Sequence, residues 1–208
     1  MSECPQQKAH RYPASFMRMG LVEQNSYTGR YDLGGFALGL GLASLARLDP
    51  VRLSAPILQN LSEEIDQTVA LAMWGNHGAP CVRWVETGGR VTVTLRTGVV
   101  LLLTTSATGL ALSAFYHSND LKRRLDSELL TIAKTMSTRF SSLTKQLEKQ
   151  LNEIRDHGIS RANGSLIPGI NGFSAPVFDH SGNIVAAITS LGTIGHFDRL
   201  GIVNSLFP

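Results

Sequence analysis

The sequence is poor in the features that mark secreted, membrane-spanning or disordered chains. Only two of its 208 residues are cysteine, Cys4 and Cys81. That is too few for a disulfide framework and suits a reducing cytoplasm, where a lone buried thiol packs as a small hydrophobe. The N-terminal MSECPQQKAH lacks the apolar stretch of a secretory leader. Charged residues make up 17% of the chain, below the ~25% of an average soluble domain, so no acidic or basic tail dominates it. The most apolar window, GVVLLLTTSATGLALSAF at 98–115, is broken by Thr104, Thr105, Ser106, Thr108 and Gly109. It falls short of the roughly 20 apolar residues of a spanning helix and reads as a strand end, a polar turn and the start of a buried helix. The balance of 19 basic against 16 acidic residues leaves +3, which is compatible with a nucleic-acid partner but does not identify one.

Catalytic and metal signatures are also missing. There is no G-x-S-x-G elbow, no H-E-x-x-H and no P-loop. None of the six histidines pairs with another at ligand spacing, and His77 and Cys81, four apart across a turn, have no further ligands in view. Asp179-His180-Ser181 imitates a compressed triad but falls where Asp and Ser stabilise a hairpin turn. Neither an enzyme nor a metal or cofactor is expected.

What is present is a regular alternation of helical and strand patterns. Residues 7–19 place Tyr12, Phe16 and Met19 on one side of a helix and Lys8, Arg11 and Arg18 on the other. Pro13 kinks that helix or begins it, and Gly20 caps it. LVEQ and RYDLG flank a turn containing Asn25, Ser26 and Gly29, which predicts a β-hairpin. Residues 34–48 are apolar nearly all round and predict a buried connecting helix. SAPILQNLSEEIDQ at 54–67 predicts an amphipathic helix capped by Ser54, with Pro56 near its first turn. Strand-like runs at 68–74, 80–86 and 90–95, joined by NHGA and TGG, predict an antiparallel meander. A helix over 106–115 precedes two polar helices, the second with Phe140, Leu143, Leu147, Leu151 and Ile154 on one face and Gly158 as its stop. A last hairpin joins 170–179 to 184–192 through Ser181-Gly182-Asn183. The sum is α+β, an antiparallel sheet covered by helices. The strongest candidate for binding is TTSATG at 104–109, where four hydroxyls and the amides of a helix start can meet a carboxylate or another anion.

Four stretches together resemble the IclR-type transcriptional regulators of bacteria. GLVEQNSYTGRYDLG is similar to the wing and exit of the family's winged helix, and TVALAMW to one of its strands. GVVLLLTTSATGLALSAF is similar to the family's signature turn and helix. IRDHGISRANGSLIPGINGFSAPVFDHSGNIVAAITSLG carries Gly158, Pro168-Gly169, Ala175-Pro176-Val177-Phe178-Asp179 and Gly182 in the family's register. The resemblance covers about Leu21 to Phe197. It implies a GAF/PAS-like effector domain over 54–208, a connecting helix over 35–53, and a partial winged helix-turn-helix over 1–34. It also implies a ligand-responsive, DNA-binding regulator that forms homodimers or homotetramers in the cytoplasm, away from any membrane. The alternative is a stand-alone GAF-like sensor acting through protein partners without DNA.

Carried over position by position, the effector pocket would be lined by Val93 and Leu95, by Ala107 and Thr108 with their backbone donors, by Ile170 and Gly172, and by Thr189 and Leu191. The family's frequent acidic residue after Gly158 is replaced by Ala162 and Asn163, and its lysine after the signature glycine by Leu110. Both changes make the pocket less charged and point to a neutral or aromatic-acid effector. Lys8, His10 and Arg11 would face DNA from the recognition helix. Too few residues precede them for the helices that support it, and the C-terminal end stops short of the family's last helix. Both ends are expected to be truncated, and DNA binding by this chain alone is expected to be weak or non-specific.

Overall fold

Residues 11–86, 97–164 and 168–193 are described in the computed structural model, and the chain divides between Asp49 and Pro50 into two units. In the first unit, α1 spans Arg11–Arg18. Pro13 falls in its first turn, where a missing N–H removes no helical hydrogen bond. The helix ends as expected at Gly20, whose φ of +69° favours glycine; the Leu21 N–H donates back to the Phe16 carbonyl at 2.9 Å. β1 (Val22–Gln24) and β2 (Tyr31–Leu33) form the predicted hairpin, Val22 opposite Leu33. Its turn is tied by Asn25 Oδ1, which accepts from the amides of Tyr27 and Thr28, each at 2.9 Å.

The helix that follows, α2 (Gly35–Ala46), departs from expectation. Its apolar content predicts burial, yet Leu38 is 65% and Leu42 56% exposed. An all-round apolar pattern reports that a surface needs cover; it does not say which chain supplies it. The span 35–53 read as one connecting helix also holds a break, since α2 stops at Ala46 and α3 starts at Pro50.

The second unit opens with α3 (Pro50–Ile65). The expected start at Ser54 is four residues late: Pro50 takes the first helical position, a role for which its fixed φ suits it. Ser54 is buried inside the helix and donates its hydroxyl to the Val51 carbonyl at 2.9 Å. The sheet comprises β3 (Thr68–Ala72), β4 (Ala79–Val85), β5 (Val100–Leu101), β6 (Ser160–Asn163), β7 (Ile170–Phe178) and β8 (Ile184–Thr193). Every pairing is antiparallel, in the order β5-β4-β3-β8-β7-β6. The strand expected over 90–95 lies outside the described residues, and β6 was not foreseen.

Alternation sets the two faces of this sheet. Val69, Leu71 and Ala186 pack with Leu58 of α3 on one face. Ala72, Ala79 and Ala187 pack on the other against Ala111 and Leu112 of α4 (Ala107–Phe115). Two amphipathic helices, α5 (Asn119–Thr135) and α6 (Phe140–His157), close over α4: Leu129, Leu147, Leu151 and Ile154 meet Leu110 and Ala114. Gly158, at φ +71°, ends α6 and donates its N–H to the Ile154 carbonyl at 2.8 Å. This is the α+β architecture that the sequence predicts.

Candidate functional site

The site grows from the turn between β5 and α4. Ser106 caps the helix, its hydroxyl oxygen accepting the Gly109 N–H at 2.9 Å. Gly109 is required by crowding: a Cβ there would lie 2.0 Å from the Leu102 carbonyl oxygen and 2.6 Å from Leu103 Cα. Upstream, a carboxylate does occupy the turn, but it is the chain's own. Glu128 of α5 accepts from the Leu103 and Thr104 amides at 3.0 Å and from the Thr104 hydroxyl at 2.9 Å. No sequence signal pointed to Glu128, because nothing local pairs it with a turn 24 residues away.

Beyond the cap every residue from Ala107 to Ala114 is buried. The N-terminal end of α4 rests on a row of polar side chains crossing the sheet, where Ser160 of β6 stands opposite Ser174 of β7, which stands opposite Thr189 of β8. The Thr108 and Thr189 hydroxyl oxygens are 2.6 Å apart, and Thr189 donates to Ser174 Oγ at 2.9 Å. Ser160 donates to the Ala107 carbonyl at 2.6 Å. The four are at most 4% exposed. Buried hydroxyls without partners are costly, and this mutual pairing removes the cost while locking helix to sheet. Ser160 and Ser174 were missed by sequence reading, Ser160 because β6 was missed. For Ser174, the alternation within INGFSAPVF already places it on the same face as Gly172.

The next rung of the same face holds Gly172 and Leu191 in register. A Cβ on Gly172 would lie 3.1 Å from Leu191 Cδ2, 3.5 Å from Ala107 Cβ and 3.8 Å from Thr189 Cγ2. Five of the expected pocket residues, Ala107, Thr108, Gly172, Thr189 and Leu191, are thus brought together from three distant segments. Ile170 belongs to the same face two positions along β7, opposite Thr193. Val93 and Leu95 lie outside the described residues. The expectation that the TTSATG hydroxyls are available to a ligand is corrected for three of them: Thr104 serves Glu128, Ser106 serves the cap, and Thr108 serves Thr189. Leu110 does not face this row at all; it packs outward against Leu129, Leu147 and Leu151.

What this arrangement offers a ligand is a start of helix and a hydroxylated floor. The first amides of any α-helix have no intrahelical acceptor, and at α4 they open onto a face whose described side chains near them are Ser160, Ala162, Gly172, Ser174, Thr189 and Leu191, none of them charged. The nearest cation in sequence, Arg161, belongs to the opposite face, where its guanidinium lies 5.5 Å from the Phe173 ring centroid. Of the residues expected to face DNA, Lys8 and His10 lie outside the described residues and Arg11 is the first residue of α1.

Comparison with known proteins agrees with this architecture. The family model for the bacterial transcriptional regulator IclR C-terminal domain matches residues 42–206. The chain is 28% identical over 187 residues to the HTH-type transcriptional regulator BhcR of Paracoccus denitrificans, covering 88% of this chain and 64% of that protein. It is 25% identical over 201 residues to the HTH-type transcriptional regulator KipR of Bacillus subtilis, covering 94% and 78%. The crystal structure of Pseudomonas aeruginosa HmgR superposes with a TM-score of 0.76 at 34% identity, over 93% of this chain and 76% of that one. The chain therefore spans about two thirds to four fifths of the lengths of these relatives.

Proposed function

The chain belongs to the IclR-type bacterial transcriptional regulators, matching them through their C-terminal domain, and from that premise we propose that it is a cytoplasmic, ligand-responsive, DNA-binding regulator whose second unit, the effector domain, senses a small organic or aromatic acid. The observation that carries the ligand reading is the seat of α4. Ala107 and Thr108 stand over Gly172, Thr189 and Leu191, so a group bound between helix start and sheet would touch three separate segments of the fold. A carboxylate there would be held by first-turn amides and the helix dipole, with no side-chain counter-charge. The remainder of the ligand would meet Leu191, Ile170 and, from the stretch outside the described residues, Val93 and Leu95. That division of labour favours an acid with an apolar or aromatic body.

Binding can regulate only if the ligand has different affinity for two states. The hydroxyl row supplies a physical handle: a ligand that competes for Thr108 or Thr189 loosens the lock between α4 and β8. The transmitted change would alter the spacing of DNA readers in a homodimer or homotetramer. The readers would be the winged helix-turn-helix of residues 1–34, with Lys8, His10 and Arg11 facing DNA and the β1–β2 hairpin as the wing.

Thermal-shift screening against aromatic acids and short keto acids tests the ligand reading. The expected outcome is stabilisation by at least one acid, abolished or inverted in Thr189→Val. No shift with any acid, or a shift that Thr189→Val leaves unchanged, removes the assignment. A mobility-shift titration at two salt concentrations tests the DNA reading: retardation of duplex DNA that weakens with salt is expected, and no retardation at either concentration would contradict it.

A further inference from the structure

We infer that the crevice between α5 and α6 is a second small-molecule site, built for an organic dianion with an apolar body. It lies wholly within the second unit and does not rest on the acid seat at the start of α4.

The crevice opens where the α4–α5 connection, the first turns of α5 and the last turns of α6 meet. Its volume is about 580 Å³, within the roughly 300–1,000 Å³ of small-ligand sites. Tyr116, Leu125 and Leu151 supply apolar surface, and Lys122 and Arg155 bring positive charge from the two helices. Among the described residues no Asp or Glu lines it.

The protein's own carboxylates do not neutralise these two cations. Asp120, the acid nearest Lys122 in sequence, pairs instead with Arg123 at 3.1 Å and Arg124 at 2.7 Å. Among the described residues Lys122 and Arg155 have no ion-pair partner. Arg155 donates from Nε to the Ala114 carbonyl and from Nη1 to Asn152 Oδ1, each at 2.6 Å. Both acceptors are neutral, so they fix the guanidinium and leave its charge uncompensated. A fixed planar fork and a flexible ammonium in one crevice suit a doubly charged oxyanion. The acid seat differs in kind, because amides and a helix dipole offer only partial charges. Two full charges favour a second negative charge on the ligand, as in a phosphate monoester, which carries about −1.5 to −2 at neutral pH, or a dicarboxylate. The leucines and the Tyr116 ring call for an apolar body. Because Arg155 also holds the last turn of α4, an occupant would bear on the far end of the helix that forms the acid seat.

Tyr116 stacks on Trp74 with ring centroids 4.7 Å apart, so Trp74 emission reports on the crevice. Trp84→Phe leaves Trp74 as the one tryptophan of the chain. The full chain carrying that substitution is titrated with phenyl phosphate, phenylsuccinate, benzoate and inorganic phosphate. At least one of the two aromatic dianions should give a saturable change in emission, at least tenfold tighter than benzoate and inorganic phosphate. Which of the two binds decides between a phosphate ester and a dicarboxylate. Lys122→Glu should weaken that binding at least tenfold; position 122 is exposed, and an acid in the first turns suits the dipole of α5. Lys134→Glu, an equal change of charge in the last turn of α5, should leave it unaltered. No saturable change with either dianion overturns the inference. So does benzoate binding as tightly as the dianions, or binding that Lys122→Glu leaves unchanged; each of these results would leave the acid seat standing.

Discussion

Glu128 sits where a bound anion was expected. Its carboxylate satisfies two backbone amides and one hydroxyl of the turn that positions α4, and among the described residues it has no ion-pair partner. Removing it leaves those donors partly buried and without an acceptor, which costs about 1–3 kcal/mol for such a group. Glu128→Ala should therefore lower the thermal midpoint by several degrees at the ~2–4 °C per kcal/mol expected for this chain length. Glu128→Gln, which keeps one acceptor oxygen, should lose less. If the turn is an anion site that the chain fills for itself, acetate should restore part of the midpoint in Glu128→Ala and do nothing for the wild type. Equal melting of all three proteins would show that the turn holds its shape without this carboxylate.

At the scale of elements, the hairpins were the most legible feature, because their turns are built from side chains that bind their own backbone. In the β7–β8 turn Asp179 Oδ1 accepts from the Ser181 N–H at 2.8 Å and the Asn183 N–H at 2.9 Å. The Asn183 amide foremost, then that of Ser181, holds the Asp179 carboxyl below its ordinary value of 3.8. A carboxylate whose pKa is depressed on folding adds stability above its unfolded pKa and loses it as pH falls through the folded value. The advantage of wild type over Asp179→Asn in thermal midpoint should be constant above about pH 5 and shrink below about pH 4, since unfolded Asp titrates near 3.9. An advantage that does not vary across that range would show that the charge of Asp179 adds nothing to the turn. Helix ends and short strands were less legible. Pro50 opened α3 ahead of Ser54 because a proline at the first helical position competes well with a serine cap further on. β6 escaped because SRAN has neither a strand-forming composition nor enough length; it is a strand because β7 offers it an edge. The residues expected to line a pocket were legible only through the family's motif. Their pairing depends on contacts such as Thr108 with Thr189, 81 residues apart, which no local pattern encodes.

At the scale of the whole molecule, the two units answer different questions. The first carries five basic residues, Lys8, Arg11, Arg18, Arg30 and Arg47, against four acidic, Glu3, Glu23, Asp32 and Asp49. The +3 of the chain is therefore not concentrated where DNA would be read. Among the described residues, the second holds three apolar cores, around α3, around α4 and between α4 and the α5–α6 layer. A unit of that size buries roughly two thirds of its unfolded surface and can fold alone. Residues 50–208 expressed without the first unit should therefore melt cooperatively and keep any acid-induced thermal shift, because Ala107, Thr108, Gly172, Thr189 and Leu191 all lie within them. A fragment that folds but shows no shift with an acid that stabilises the full chain would count against the seat of α4 as the ligand's place.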